Sequence, residues 1–199
     1  MTSATPTTTI PENNEKILPA FMAHSVIQTK QYQAMIAWYT TVFHTKPLFE
    51  SDKLTFVTYD DEHHRFAFLN LPADFPDRNP MAPGIAHTAY SYATMSDLVK
   101  TYERLKGEDI LPRWAINHGV TTSIYYADPD GNELEFQYNN FPTPAECKAY
   151  FSSEAYFANP IGNAICPDTL LASLKAGKSE ADMLADAQAA ADPNALPIV

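Results

Sequence analysis

Residues 19–28, PAFMAHSVIQ, and residues 85–93, IAHTAYSYA, decide the fold. Both are short apolar runs with strand character, and both carry an Ala-His pair at the same place. The first leads into TKQYQAMIAWYTTVF, where Tyr32, Met35, Ile36, Tyr39 and Phe43 recur at helical spacing. The second leads into SDLVKTYERLKG, with Ser96 as the expected N-cap and Gly107 as the expected stop. An offset of 63 residues lays Ala23-His24 on Ala86-His87, Met35-Ile36 on Leu98-Val99, Tyr39 on Tyr102 and Leu48 on Leu111. Toward the unit ends the offset grows to 67 and then 68, pairing Tyr59 with Tyr126 and Phe68 with Phe136. The chain therefore holds two copies of one unit.

Within the first copy, LTFVTYD and HRFAFLNLP flank the acidic turn Asp60-Asp61-Glu62 and read as a hairpin, with a further strand around Lys46 to Glu50. Each unit is then β-α-β-β-β. The modules span 18–72 and 84–140, joined by the Pro-rich ADFPDRNPMAPG. Residues 1–17, rich in Thr, Pro and Asn, read as a flexible arm. Residues 141–199 read as a helical extension with three helices, TPAECKAYFSSEAYF, PDTLLASLKAG and SEADMLADAQAA, ending in the tail DPNALPIV. Their apolar stripes need a surface to cover: the sheet, a second subunit, or a site beneath a lid. The expected class is α+β.

Composition narrows the partners. Of 199 residues, 45% are apolar and 19% charged, enough for a sizeable core. The net charge of -11, with no basic block, argues against nucleic acid. No run of about 18 apolar residues occurs, so no membrane partner is expected. The N-terminal MTSATPTTTIPENNEK has no apolar signal segment, and Cys147 and Cys166 are too few for a disulfide framework, so a cytoplasmic location is expected.

Of the six histidines, all but His44 have a candidate role in chemistry. His24 and His87 occupy equivalent positions, and repeats packed about a pseudo-twofold axis would turn both into one cavity, as metal ligands do. Glu133 and Glu135 stand two apart on one strand, hence on one face, so a carboxylate is available beside them. The counterpart of Glu135 in the first module is Ala67, which makes the set two histidines and one carboxylate. Such a set leaves coordination positions open, as in non-haem Fe(II) oxygenases, although Zn, Mn or Co accept the same donors. Phe66, Phe136, Tyr138 and Trp114 are candidates for an aromatic pocket wall as well as for core.

The stretch Ile116-Asn117-His118, five residues, Ile124-Tyr125, then Asp128-Pro129, Gly131 and Glu135 resembles, element by element, the signature of the type I extradiol ring-cleavage dioxygenases. The repeated units resemble the vicinal-oxygen-chelate fold, shared with glyoxalase I and fosfomycin-resistance proteins, over roughly residues 18 to 140. This resemblance implies Fe(II), with Mn(II) or another divalent metal as a substitute, held by His24, His87 and Glu135. It implies that His118 bonds a substrate oxygen and that Tyr125 orients a catechol and stabilises negative charge. His64, in the context His64-Arg65-Phe66-Ala67-Phe68, matches an acid/base histidine, although strand parity favours His63.

The implied substrates are an aromatic diol and O2, and the product a ring-opened semialdehyde. Alternatives on the same fold are a fosfomycin-resistance-type transferase, an isomerase, or a protein that binds aromatic compounds without turnover. Glyoxalase-type chemistry would want a carboxylate where Ala67 stands. Many relatives carry two such module pairs and this chain carries one, a size compatible with a homodimer or higher homo-oligomer.

Overall fold

The computed structural model describes residues 17–79 and 82–192. The expected N-terminal arm, except for Ile17, and the tail from residue 193 lie outside the described residues. The first module is β1 (Ser25–Thr29), α1 (Tyr32–Val42), β2 (Pro47–Glu50), β3 (Leu54–Val57) and β4 (Phe66–Asn70). The second repeats it as β5 (His87–Ser91), α2 (Met95–Gly107), β6 (Trp114–Asn117), β7 (Thr121–Ala127) and β8 (Glu133–Asn139). The sheets run β1-β4-β3-β2 and β5-β8-β7-β6-β9, where β9 (Asn163–Ala164) comes from the C-terminal extension. In each module the first strand lies parallel to the last and the remaining pairs are antiparallel.

The helices form as their spacing dictates, each burying one stripe: Tyr32, Met35, Ile36, Tyr39 and Val42 on α1, and Met95, Leu98, Val99, Tyr102 and Leu105 on α2. Their start and stop signals differ from expectation. Thr94, not Ser96, is the N-cap of α2: its hydroxyl accepts from the Asp97 amide at 3.0 Å and donates to the Asp97 carboxylate. Gly107 is the last helical residue, and the left-handed turn falls to Asp109 at φ 58°.

Strand register supplies the equivalences between modules. Ala67 pairs with Val26 and Phe56, while Glu135 pairs with Ala89 and Tyr125, so Ala67 and Glu135 correspond. The same register makes Phe56 the counterpart of Tyr125 and Val57 that of Tyr126, which displaces the expected match of Tyr59 to Tyr126. Phe66, Phe68 and Phe136 are core, as is Tyr126.

The modules share one hydrophobic core and are tied across it. The Phe43 ring lies 4.8 Å from Phe66 in the first sheet and 5.0 Å from Tyr90 in the second. Tyr39 donates to the buried Asp128 at 3.1 Å, and Arg104 donates to the Thr41 and Val42 carbonyls at the end of α1, both at 2.7 Å. That guanidinium supplies donors to carbonyls of the last turn of α1, where i to i+4 partners run out.

The C-terminal extension divides. The expected first helix breaks into α3 (Pro144–Tyr150) and α4 (Glu154–Ala158), because Ser153 caps a new start by accepting from the Tyr156 amide. Helix α5 (Pro167–Lys175) packs against α2, and α6 (Glu180–Ala189) packs against α5, burying Leu170 and Met183. Asp168 there accepts from the Tyr102 hydroxyl at 2.7 Å. Among the described residues no helix is long and apolar enough to cross a membrane.

Candidate active site

The second sheet gathers a polar cluster on the face turned away from the core. Glu135 faces opposite to Leu134 and Phe136, as strand alternation requires, yet is only 5% exposed. A carboxylate buried this far needs partners. His87 Nε2, at the start of β5, lies 3.1 Å from Glu135 Oε2, and His118 Nε2 lies 4.0 Å from Oε1. Tyr125 is the cross-strand neighbour of Glu135 and stands beside its carboxylate. Burial first, and then the adjacent Glu135 charge, hold the Tyr125 hydroxyl well above the ordinary phenol range, so it stays protonated and available as a donor. Trp114 stacks on Tyr125 with ring centroids 4.0 Å apart and fixes the plane of that ring.

His118 is held from both sides. Its Nδ1 meets the Ile161 carbonyl at 2.5 Å, and its Nε2 meets the Tyr125 hydroxyl at 3.1 Å. A carbonyl only accepts, so Nδ1 carries the proton and Nε2 is left as the acceptor in the neutral ring. The Ile161 carbonyl reaches this position because Gly162, at φ 105°, lets the backbone pass over the β6–β7 turn. A Cβ on Gly162 would lie 2.1 Å from the Asn117 carbonyl oxygen. Asn159 grips this bend, donating to the Gly162 carbonyl at 2.8 Å and accepting from the Gly162 amide at 3.0 Å.

The remaining signature residues build the β7–β8 turn. Asp128 accepts from the Asp130 and Asn132 amides at 3.0 and 2.8 Å, and Gly131 takes φ 78°. At the other end of the sheet, the Asn140 side chain donates to the Asn117 side chain and to the Gly119 carbonyl, bracing the turn that carries His118. Sequence reasoning missed Trp114 as the stacking partner of Tyr125, and it missed Asn140, Ile161 and Gly162 entirely. A glycine before the short Asn163-Ala164 strand was the one available signal.

The first module places its histidines elsewhere. His24 precedes β1, with its ring 4.3 Å from His64 and 6.3 Å from His63. His64 stacks on Phe56 at 4.5 Å, on the open face of the sheet. Strand parity does not govern this, because β4 begins only at Phe66. The turn before it is set by the Arg65 guanidinium, which binds the Asp60 carboxylate. Burial, and then the His24 and His63 rings, lower the His64 pKa and favour its neutral form.

His24 and His87 do not meet within the chain. No hydrogen bonds join β1 to β5. His24 opens on a cleft of about 560 Å³ and His87 on another of about 1070 Å³. Among the described residues no three His, Cys, Asp or Glu side chains gather closely enough to share a metal ion. The expectation that packing within one chain would turn both histidines into one cavity is therefore corrected. His87 and Glu135 stand together at 3.1 Å, and His24 lies apart from them.

The family model described as Glyoxalase/Bleomycin resistance protein/Dioxygenase superfamily matches residues 21–136. The chain is 46% identical over 155 residues to biphenyl-2,3-diol 1,2-dioxygenase 2 of Rhodococcus globerulus, covering 78% of this chain and 82% of that one. It is 42% identical over 163 residues to biphenyl-2,3-diol 1,2-dioxygenase 3 of the same organism, covering 81% and 86%. Among solved structures, a glyoxylase/bleomycin resistance protein/dioxygenase domain from Frankia sp. EAN1pec aligns with a TM-score of 0.51 at 18% identity. That alignment covers 62% of this chain and 100% of the other, and speaks for the fold alone.

Proposed function

The chain belongs to the glyoxalase/bleomycin resistance protein/dioxygenase superfamily, and on that premise we propose that it is an extradiol dioxygenase that opens a catecholic ring with O2. The observation that carries this function is the buried carboxylate of Glu135, ringed by His87, His118 and Tyr125, in a chain akin to two biphenyl-2,3-diol dioxygenases.

His87, Glu135 and His24 are the residues that would hold Fe(II), with Mn(II) or another divalent ion as a substitute. When bound, the ion supplies a centre at which a vicinal diol and O2 exchange electrons. The protein's own groups do the rest. The Tyr125 hydroxyl, kept protonated, donates to a diol oxygen and stabilises negative charge there. His118, with its proton held at Nδ1 by Ile161, offers Nε2 as an acceptor toward the diol. Trp114 and Tyr125 form a flat aromatic wall on which a substrate ring stacks. His64, neutral by virtue of its surroundings, is the proton acceptor on the oxygen side. The cysteines Cys147 and Cys166 are unpaired, which accords with a cytoplasmic enzyme.

The test is anaerobic reconstitution with Fe(II), addition of a panel of catechols, admission of air, and measurement of O2 uptake with a yellow ring-fission product. Stoichiometric uptake with at least one catechol is expected. No uptake with any of them, at one bound iron per site, overturns the proposal.

A further inference from the structure

We infer that Asn159, in the C-terminal extension, is a positioning residue for ring cleavage: through the peptide between Ile161 and Gly162 it fixes which nitrogen of His118 carries the proton. The inference rests on the dioxygenase function proposed above for the role of His118, and on geometry for the role of Asn159.

One planar peptide links the two residues. The Ile161 carbonyl and the Gly162 amide belong to the same unit, and among the described residues no peptide bond is cis, so the two groups point in opposite directions. On one side Asn159 Oδ1 accepts from the Gly162 amide at 3.0 Å. On the other the Ile161 carbonyl accepts from His118 Nδ1 at 2.5 Å. Asn159 Nδ2 also donates to the Gly162 carbonyl at 2.8 Å and to the Asn163 side chain at 3.2 Å, so both peptide planes flanking the Gly162 Cα are tied to one side chain. Glycine has more backbone freedom than any other residue, and without Asn159 this peptide can rotate its carbonyl off His118.

The consequence falls on the catalytic side of the ring. With Nδ1 bonded to a carbonyl, Nε2 keeps its lone pair and receives the Tyr125 hydroxyl at 3.1 Å. Once the carbonyl is withdrawn, the proton can sit on Nε2 instead. There it opposes the Tyr125 hydroxyl and offers the diol a donor in place of an acceptor. The rest of the extension is disposed to hold the bend. Helices α3 and α4 bury no residue of their own, yet the segment grips the second sheet on both sides of His118. Tyr150 lies over Gly119 so closely that no Cβ fits there, and β9 pairs with Ile116 and Asn117.

The experiment is a double-mutant cycle between Asn159→Ala and His118→Ala, with a spectrum of the histidine ring beside it. In the iron-loaded full chain, Asn159→Ala alone is expected to lower kcat roughly tenfold at unchanged iron content, the lower end of the span for groups that orient a functional side chain. In the His118→Ala background it lowers kcat no further, because a residue that acts through His118 has nothing left to act on. A merely structural role would cost the same factor in both backgrounds, and equal losses overturn the inference.

The second readout needs no iron. In a long-range proton–nitrogen correlation spectrum of the metal-free full chain, the His118 ring is identified by its absence from His118→Ala. It is expected to carry its proton on Nδ1 in the wild type and to shift toward Nε2 in Asn159→Ala. A wild-type ring protonated on Nε2, or the same tautomer in both proteins, overturns the inference. Asn159→Leu, of similar size and without polar atoms, takes over if the alanine variant departs from the wild-type circular dichroism spectrum. Tautomer and turnover separate the two claims. A wild type that consumes no catechol, beside an Asn159→Ala chain with a shifted tautomer, overturns the dioxygenase function and keeps the positioning role. A wild type that cleaves catechol, beside an Asn159→Ala chain with its tautomer unmoved, does the reverse.

Discussion

The first module sets Ala67, Phe56 and Phe49 where the second sets Glu135, Tyr125 and Trp114. On the core side the modules agree: Met35 and Ile36 match Leu98 and Val99, Tyr39 matches Tyr102, and Phe68 matches Phe136, all buried. On the open side they diverge everywhere except at His24 and His87. Core positions must fill a shared volume at crystal-like density, which holds both copies to similar shapes. The open faces carry no such constraint, so one copy kept its aromatic pair apolar while the other acquired a carboxylate and a phenol. Chemistry here is an edit to one face of a duplicated scaffold.

Substitutions that erase the difference between modules give graded effects. The largest is expected from Glu135→Ala, which makes the second module resemble the first: iron binding, read by metal analysis, and O2 uptake are both lost. Ala67 occupies the same place in the first module and carries no donor, so no other carboxylate takes over. Next comes His118→Ala. It retains iron while kcat falls by about 10²- to 10⁴-fold, the span for a positioned acid/base group. Loss of iron in that variant would move His118 among the ligands.

Tyr125→Phe copies Phe56 into the second module. It leaves the stack on Trp114 in place and removes one hydroxyl, with an expected loss of roughly tenfold to a hundredfold in kcat. The reciprocal Phe56→Tyr, lacking a carboxylate opposite, leaves kcat within about twofold. The smallest effect is on the seam. Tyr39→Phe removes the bond to Asp128 and costs about 1 kcal/mol in a urea titration, with iron content unchanged.

Much of this was legible in the residues. Two Ala-His strands, two helices with the same buried stripe, and the gapped run from Ile116 to Glu135 declare the modules, their register at Ala67 and Glu135, and the polar cluster. Three things were not. The support for His118 comes from a backbone carbonyl, which no side-chain pattern announces, delivered by a bend that only the φ of Gly162 permits. The position of His64 depends on where β4 begins, and an Arg65–Asp60 ion pair shapes that turn instead of strand alternation. The relation between modules is set by Phe43, Tyr39 and Arg104 acting across the core. A repeat reveals equivalent positions without revealing which of them face each other.

The Arg104 guanidinium on the last carbonyls of α1 bears on how the molecule comes apart. Each of those carbonyls receives a donor from the other repeat, and the α1 stripe shares its core with that repeat. Neither half is a self-sufficient folding unit. Nicking the connection between the repeats should leave the fragments associated, and separating them should melt α1. In denaturant, despite its doubled ancestry, the pair should then lose structure in one cooperative step.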